Sequence, residues 1–170
     1  MDQALEVVVG SLAKQHNVCL AAAESCTGGL LSHLITNVPG SSDYFLGSVI
    51  TYANQAKIQI LGVKSETLEK FGAVSRETVL EMAHAVRQVF FADIGVSVSG
   101  IAGPGGGVPG KPVGTVWIGL SVAGLDRAWR YQFSGDRQEV KQQAAEMALK
   151  LLVECLQQSM AGQNEPPLGG

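Results

Sequence analysis

Two short apolar runs constrain this chain more than any other feature. Val18-Cys19-Leu20-Ala21-Ala22-Ala23 does not alternate apolar with polar residues, as expected of a strand covered on both faces. Ile94-Gly95-Val96-Ser97-Val98 reads as a second such buried strand. A sheet hidden on both sides needs helices above and below it, and the intervening segments have helical spacing. Leu5, Val8, Val9 and Leu12 form an apolar stripe within residues 2–14, and Leu30, Leu31, Leu34, Ile35 and Val38 form another, stopped by Pro39-Gly40. Residues 44–52 read as a strand. Residues 54–61 and 65–71 read as short helices, each followed by a glycine, Gly62 or Gly72, suited to a left-handed cap.

Ser75 is a credible N-cap for a longer helix with Val79, Met82, Ala83, Val86, Val89 and Phe90 on its buried face. Residues 113–122 and 127–133 are expected to pair as a hairpin around Ala123-Gly124-Leu125-Asp126. The last helix opens on Asp136-Arg137-Gln138-Glu139, a capping box, and buries Val140, Ala144, Met147, Ala148, Leu151, Leu152 and Cys155. The expected fold is α/β: a three-layer α/β/α sandwich around a mixed, mostly parallel sheet of about five strands. Residues 1–160 are expected to form one domain and residues 161–170 a flexible tail.

Composition narrows the function. The chain has 170 residues, 46% hydrophobic and 16% charged, which is too apolar for disorder. Its net charge of −3, without a basic stripe, argues against a nucleic-acid partner. No apolar run approaches the roughly 18 residues of a membrane span, and the N-terminus is no signal peptide, so a cytoplasmic protein is expected. Cys19, Cys26 and Cys155 have no CxxC spacing, and His16, His33 and His84 never recur at i, i+4; neither a disulfide framework nor a metal site is expected.

Three segments have the position and chemistry of a site. The first, Glu24-Ser25-Cys26-Thr27-Gly28-Gly29, follows a buried strand, where open α/β sheets place ligands. Ser25 there is a candidate nucleophile, with the following backbone amides as an oxyanion hole, and Gly28 and Gly29 would admit a ligand close to the backbone. Alternatively Ser25 or Thr27 merely caps the next helix. Cys26 is a rival nucleophile, because a helix N-terminus depresses a thiol pKa. With no histidine at a comparable strand end, lysine is the alternative base, and Lys57 lies five residues beyond Tyr52. Burial or a neighbouring charge, such as that of Arg137, would have to lower its pKa. The second segment, residues 99–107, is glycine-rich without the spacing of a Walker or dinucleotide loop; its amides could wrap a phosphate or a planar ring. The third, Phe133-Ser134-Gly135-Asp136-Arg137, presents an arginine able to grip a phosphate or carboxylate.

Together these segments resemble the CinA C-terminal domain family, which includes stand-alone nicotinamide mononucleotide deamidases. The resemblance rests on residues 23–29, 49–57, 97–106, 111–117 and 133–137, in the family's order, and extends from about Leu5 to Leu156. It implies hydrolysis of the carboxamide of nicotinamide mononucleotide to nicotinic acid mononucleotide and ammonia, without metal or organic cofactor. Ser25 then matches the nucleophile, Lys57 the base, and Tyr52 and Arg137 further active-site positions. Thr27, Gly28, Gly29, Gly103, Gly105, Gly106 and Arg137 are the expected substrate contacts. The pyrophosphatase activity associated with the additional N-terminal domain of full-length members is not expected. A homodimer is compatible with the resemblance. The alternative is a domain that binds a nucleotide without hydrolysing it, in a competence or DNA-damage response.

Overall fold

The computed structural model describes residues 3–161, and the sheet it contains is five-stranded. In chain order the elements are α1 (Leu5–His16), β1 (Leu20–Glu24), α2 (Leu30–Thr36), β2 (Phe45–Ile50), α3 (Asn54–Leu61), α4 (Ser65–Phe71) and α5 (Arg76–Val89). These are followed by β3 (Ile94–Gly100), β4 (Thr115–Val122), β5 (Leu125–Gln132) and α6 (Arg137–Ala161). The strand order is β2-β1-β3-β4-β5. β1 pairs in parallel with both β2 and β3, whereas β3–β4 and β4–β5 are antiparallel. Four of the five strands therefore point the same way, which is the mixed sheet anticipated above.

β1 explains why its run of residues does not alternate. Leu20 and Ala22 enter a core shared with α1, α2 and α6, while Ala21 and Ala23 enter a second core with Leu61, Met82 and Val86. All five residues of β1 are buried. On the second face α5 lies close to the sheet because β3 and β4 offer it small residues. A Cβ on Gly95 would stand 2.2 Å from the carbonyl oxygen of Ala83, and one on Gly119 would stand 2.5 Å from that of Val79. The Ser97 hydroxyl donates to the same Val79 carbonyl. Any larger side chain in this stripe would push α5 outward, and close-packed interiors tolerate such overpacking poorly.

Four local expectations need correction. Val89 is 49% exposed, at the last residue of α5. The hairpin turn is tighter than expected: Leu125 and Asp126 already pair with Val122 and Ser121, leaving only Ala123 and Gly124 between the strands. Gly62 closes α3 in the left-handed conformation, but Gly72 combines φ 79° with ψ 170°, an extended exit that only glycine adopts easily. Ala161, assigned to the tail, still belongs to α6. The rest of the expected tail lies outside the described residues.

Candidate active site

β1 and β3 end side by side, and the chain leaves both at the same edge of the sheet. The first residue beyond β1 is Ser25, whose N–H donates to the carbonyl of Val98 on β3, so its backbone is tied to the middle of the sheet. The following turn does not begin a helix at once. Gly28 and Gly29 both take positive φ (60° and 100°), and α2 starts only at Leu30. Neither Ser25 nor Thr27 caps that helix. The fully buried Glu24 does so instead: its carboxylate accepts from the N–H groups of Gly29, Leu31 and Ser32 and from the Ser32 hydroxyl. Four donors offset the cost of burying the charge, and they hold the Ser25–Gly28 turn shut from below.

Lys57 lies in the first turns of α3 and is buried, with 1% of its surface exposed. Its Nζ is 3.1 Å from Ser25 Oγ, 2.8 Å from the carbonyl oxygen of Thr51 and 3.5 Å from that of Tyr52. Among the described residues no carboxylate pairs with it. Burial lowers its pKa from the usual lysine range, opposed only by a small effect of Cys26. Of the two causes anticipated, burial is the one that acts; Arg137 is not among the causes of the shift. The surroundings suit a neutral amine: two N–H groups can be directed at the two carbonyls, leaving the lone pair for the Ser25 hydroxyl. In the ammonium form the same nitrogen must bury a charge with only neutral acceptors.

Cys26, the rival nucleophile, borders the same cleft in surroundings that disfavour its thiolate. Burial, reinforced by the Glu24 carboxylate, pushes its thiol up to about 12 despite partial compensation by its own backbone N–H and by Lys57 and Lys141. A thiol at that value is protonated at neutral pH and a poor nucleophile. The position was judged to be a helix N-terminus, but the helix begins four residues later.

Ser25, Lys57, Tyr52, Gly103, Gly105, Gly106 and Arg137 all border one cleft of about 270 Å³. Tyr52 and Arg137 stand at its mouth. Arg137 donates through Nη2 to the Tyr52 hydroxyl (2.6 Å) and through Nη1 to the Gly103 carbonyl (2.8 Å), bridging opposite walls. Thr27, Gly28 and Gly29, expected among the substrate contacts, do not line the cleft. Thr27 is wholly buried, and Gly28 and Gly29 shape the turn through their positive φ angles. Along that turn the N–H groups of Gly28, Gly29, Leu30, Leu31 and Ser32 are all engaged. Those of Cys26 and Thr27 donate to no acceptor on another residue. The amides of Ala102, Gly103, Gly105 and Gly106 are likewise without a protein acceptor.

Ser99, the first residue of the glycine-rich candidate segment, also borders the cleft, as does Asn54, which the sequence did not single out. Ser99 donates to the Ala73 carbonyl, which fixes the far wall. A separate, more apolar hollow of about 230 Å³ lies between β5 and the end of α6, bordered by Leu125, Trp129 and Leu151. It offers no activated nucleophile, since burial pushes the thiol of Cys155 up as well. Among the described residues no group of three histidine, cysteine, aspartate or glutamate side chains is placed to hold a metal, and no helix is long and apolar enough to cross a membrane.

Comparison with known proteins agrees with this fold. The CinA C-terminal domain model matches residues 2–156. The chain belongs to the CinA C-terminal domain family. A CinA-like protein of Thermotoga neapolitana is 52% identical over 151 residues, covering 89% of this chain but 37% of the relative. The CinA-like protein of Kosmotoga olearia is 46% identical over 155 residues, or 38% of its length. The chain thus spans little more than a third of the curated CinA relatives it matches. Among solved structures, the competence or damage-inducible protein of Enterobacter asburiae superposes with a TM-score of 0.86 at 38% identity, covering 89% of this chain and 96% of the other. The competence damage-inducible protein A of Klebsiella pneumoniae gives 0.87 at 36%, with 89% and 94% covered.

Proposed function

We propose that this CinA-family domain is a serine amidase that hydrolyses the carboxamide of nicotinamide mononucleotide to the carboxylate and ammonia. The observation that carries the proposal is the hydrogen bond between Ser25 Oγ and the buried, carbonyl-held Nζ of Lys57. A serine hydroxyl needs a base to attack an amide, and a lysine serves when it is neutral near the working pH. Burial shifts Lys57 in that direction, lowering its pKa from the usual lysine range.

In the proposed reaction, Lys57 accepts the Ser25 proton as Oγ attacks the amide carbon. The oxyanion that forms is held by the backbone N–H of Cys26, which borders the cleft beside Ser25. Protonated Lys57 returns the proton to the departing nitrogen, so ammonia leaves and an acyl-serine remains. Water, activated by the same lysine, releases the acid. Arg137 is the one cationic side chain at the mouth and is suited to the substrate phosphate, with the free amides of Gly103, Gly105 and Gly106 beside it. Tyr52, its hydroxyl already accepting from Arg137, keeps its own proton to donate into the cleft. No step calls for a metal or organic cofactor.

The test is to incubate the protein with nicotinamide mononucleotide and to measure ammonia together with nicotinic acid mononucleotide. Stoichiometric release of both supports the proposal. The names of the structural relatives favour a second reading, in which the cleft binds a nucleotide without hydrolysing it in a competence or damage response. That reading predicts saturable binding of the mononucleotide with no ammonia.

A further inference from the structure

We propose a second ligand site, for a phosphorylated aromatic metabolite of the nucleoside-monophosphate class, in the hollow behind the glycine-rich loop. The hollow measures about 330 Å³ and is bordered by Arg76, Lys111, Arg130, Trp117, Phe71 and Glu77. Three cations thus face one carboxylate in a chain whose net charge is −3. The ion pairs among the described residues are Lys14–Asp43 and His84–Asp126, so none of the three cations is neutralised by a carboxylate. Two of the head groups are fixed in place by backbone: Lys111 Nζ donates to the Phe71 carbonyl (2.6 Å), and Arg130 Nη2 to the Gly110 carbonyl (2.6 Å). Each keeps further N–H donors for a ligand.

Two independent features match a phosphate joined to a ring. The hollow includes the first turn of the 14-residue α5, where Ser75 Oγ accepts from Thr78 but the N–H groups of Arg76 and Glu77 have no protein acceptor. The half-buried Trp117, cross-strand neighbour of Arg130, borders the same space, and among the described residues no cation covers its ring. An indole face beside fixed cations suits base stacking with phosphate neutralisation. Val74 borders both this hollow and the Ser25 cleft, and the loop running from Gly103 to Lys111 borders the two spaces in turn. A ligand drawing on Lys111 or Arg130 would pull on the tethers of that loop.

Trp129→Phe leaves Trp117 as the sole tryptophan. In that background its fluorescence is titrated in separate arms with adenosine monophosphate, inorganic phosphate and adenosine. Adenosine monophosphate should give a saturable change that weakens with added salt, and the two fragments should bind at least about tenfold more weakly. Adding Arg76→Ala with Arg130→Ala should raise the apparent Kd at least about tenfold, while Arg137→Ala in the cleft leaves it unchanged. Should Arg130→Ala disturb folding through Gly110, Arg76→Glu alone must produce the loss, since its side chain supports no other residue. The proposal is overturned by the absence of a saturable change, by phosphate alone binding as tightly, or by loss of binding in Arg137→Ala with retention in Arg76→Glu. It does not depend on amide hydrolysis, because the readout is binding at Trp117.

Discussion

Replacing Lys57 by methionine removes the charge but keeps most of the volume, and its effect on stability should depend on pH. Where the folded protein holds Lys57 neutral and the unfolded chain holds it protonated, the unfolded state binds one more proton. Wild-type stability then rises with pH by up to about 1.4 kcal/mol per unit. The window runs from the lowered folded-state pKa up to about 10.4, the value of an unperturbed lysine. Below the window both states are charged and the burial penalty is fully present; above it both are neutral and the penalty is gone. The variant lacks this slope. It also leaves the Thr51 carbonyl without the 2.8 Å donor it now has, which costs about 1–3 kcal/mol at every pH. Lys57→Met should therefore be clearly less stable than wild type at pH 10 and should recover or overtake it towards pH 6. Urea unfolding of both proteins across that range measures the difference. A stability difference that stays flat from pH 6 to pH 10 would refute a depressed lysine and remove the argument for Lys57 as the base.

Other consequences are sharper in activity than in stability. Lys57→Arg keeps the charge but cannot deprotonate near neutrality, so it should lose at least about 10²-fold in kcat/KM, close to Lys57→Ala; near-normal turnover by arginine would rule out the base role. Cys26→Ala should keep most activity, and a dead but folded alanine variant would reopen the cysteine as nucleophile. Glu24→Ala unties three amides and one hydroxyl beneath the Ser25 turn, so kcat should fall at least about tenfold with KM little changed, and Ser32→Ala, which removes one of those four donors, should have a milder effect. A folded Glu24→Ala variant with normal kcat would show that the turn holds its shape unaided.

How much of this was legible in the sequence depends on the reach of each interaction. β1 could be recognised because burial on both faces removes alternation, and alanine at three consecutive positions serves two cores at once. Ser25 and Lys57 were nominated from strand-end position, which the sheet topology then brought to 3.1 Å. Glu24 was passed over as a flanking residue because its partners lie five to eight positions ahead, beyond the spacing of an ordinary N-cap. Glycines beside a candidate nucleophile suggest ligand approach, and the positive φ angles of Gly28 and Gly29 also build the turn, a role their spacing does not show. Arg137 lies over the cleft by donating to Gly103 and Tyr52, contacts between segments 34 and 85 residues apart. Such long-range pairings leave no local signature.

The central claim is that Ser25 performs acyl transfer from a carboxamide. Its most direct test is the rate of ammonia release from nicotinamide mononucleotide by wild type, Ser25→Ala and Cys26→Ala side by side, with folding confirmed for each. The account predicts stoichiometric ammonia and nicotinic acid mononucleotide from wild type and Cys26→Ala, and none above background from Ser25→Ala. Wild-type turnover by Ser25→Ala, or no ammonia from any of the three, would contradict it.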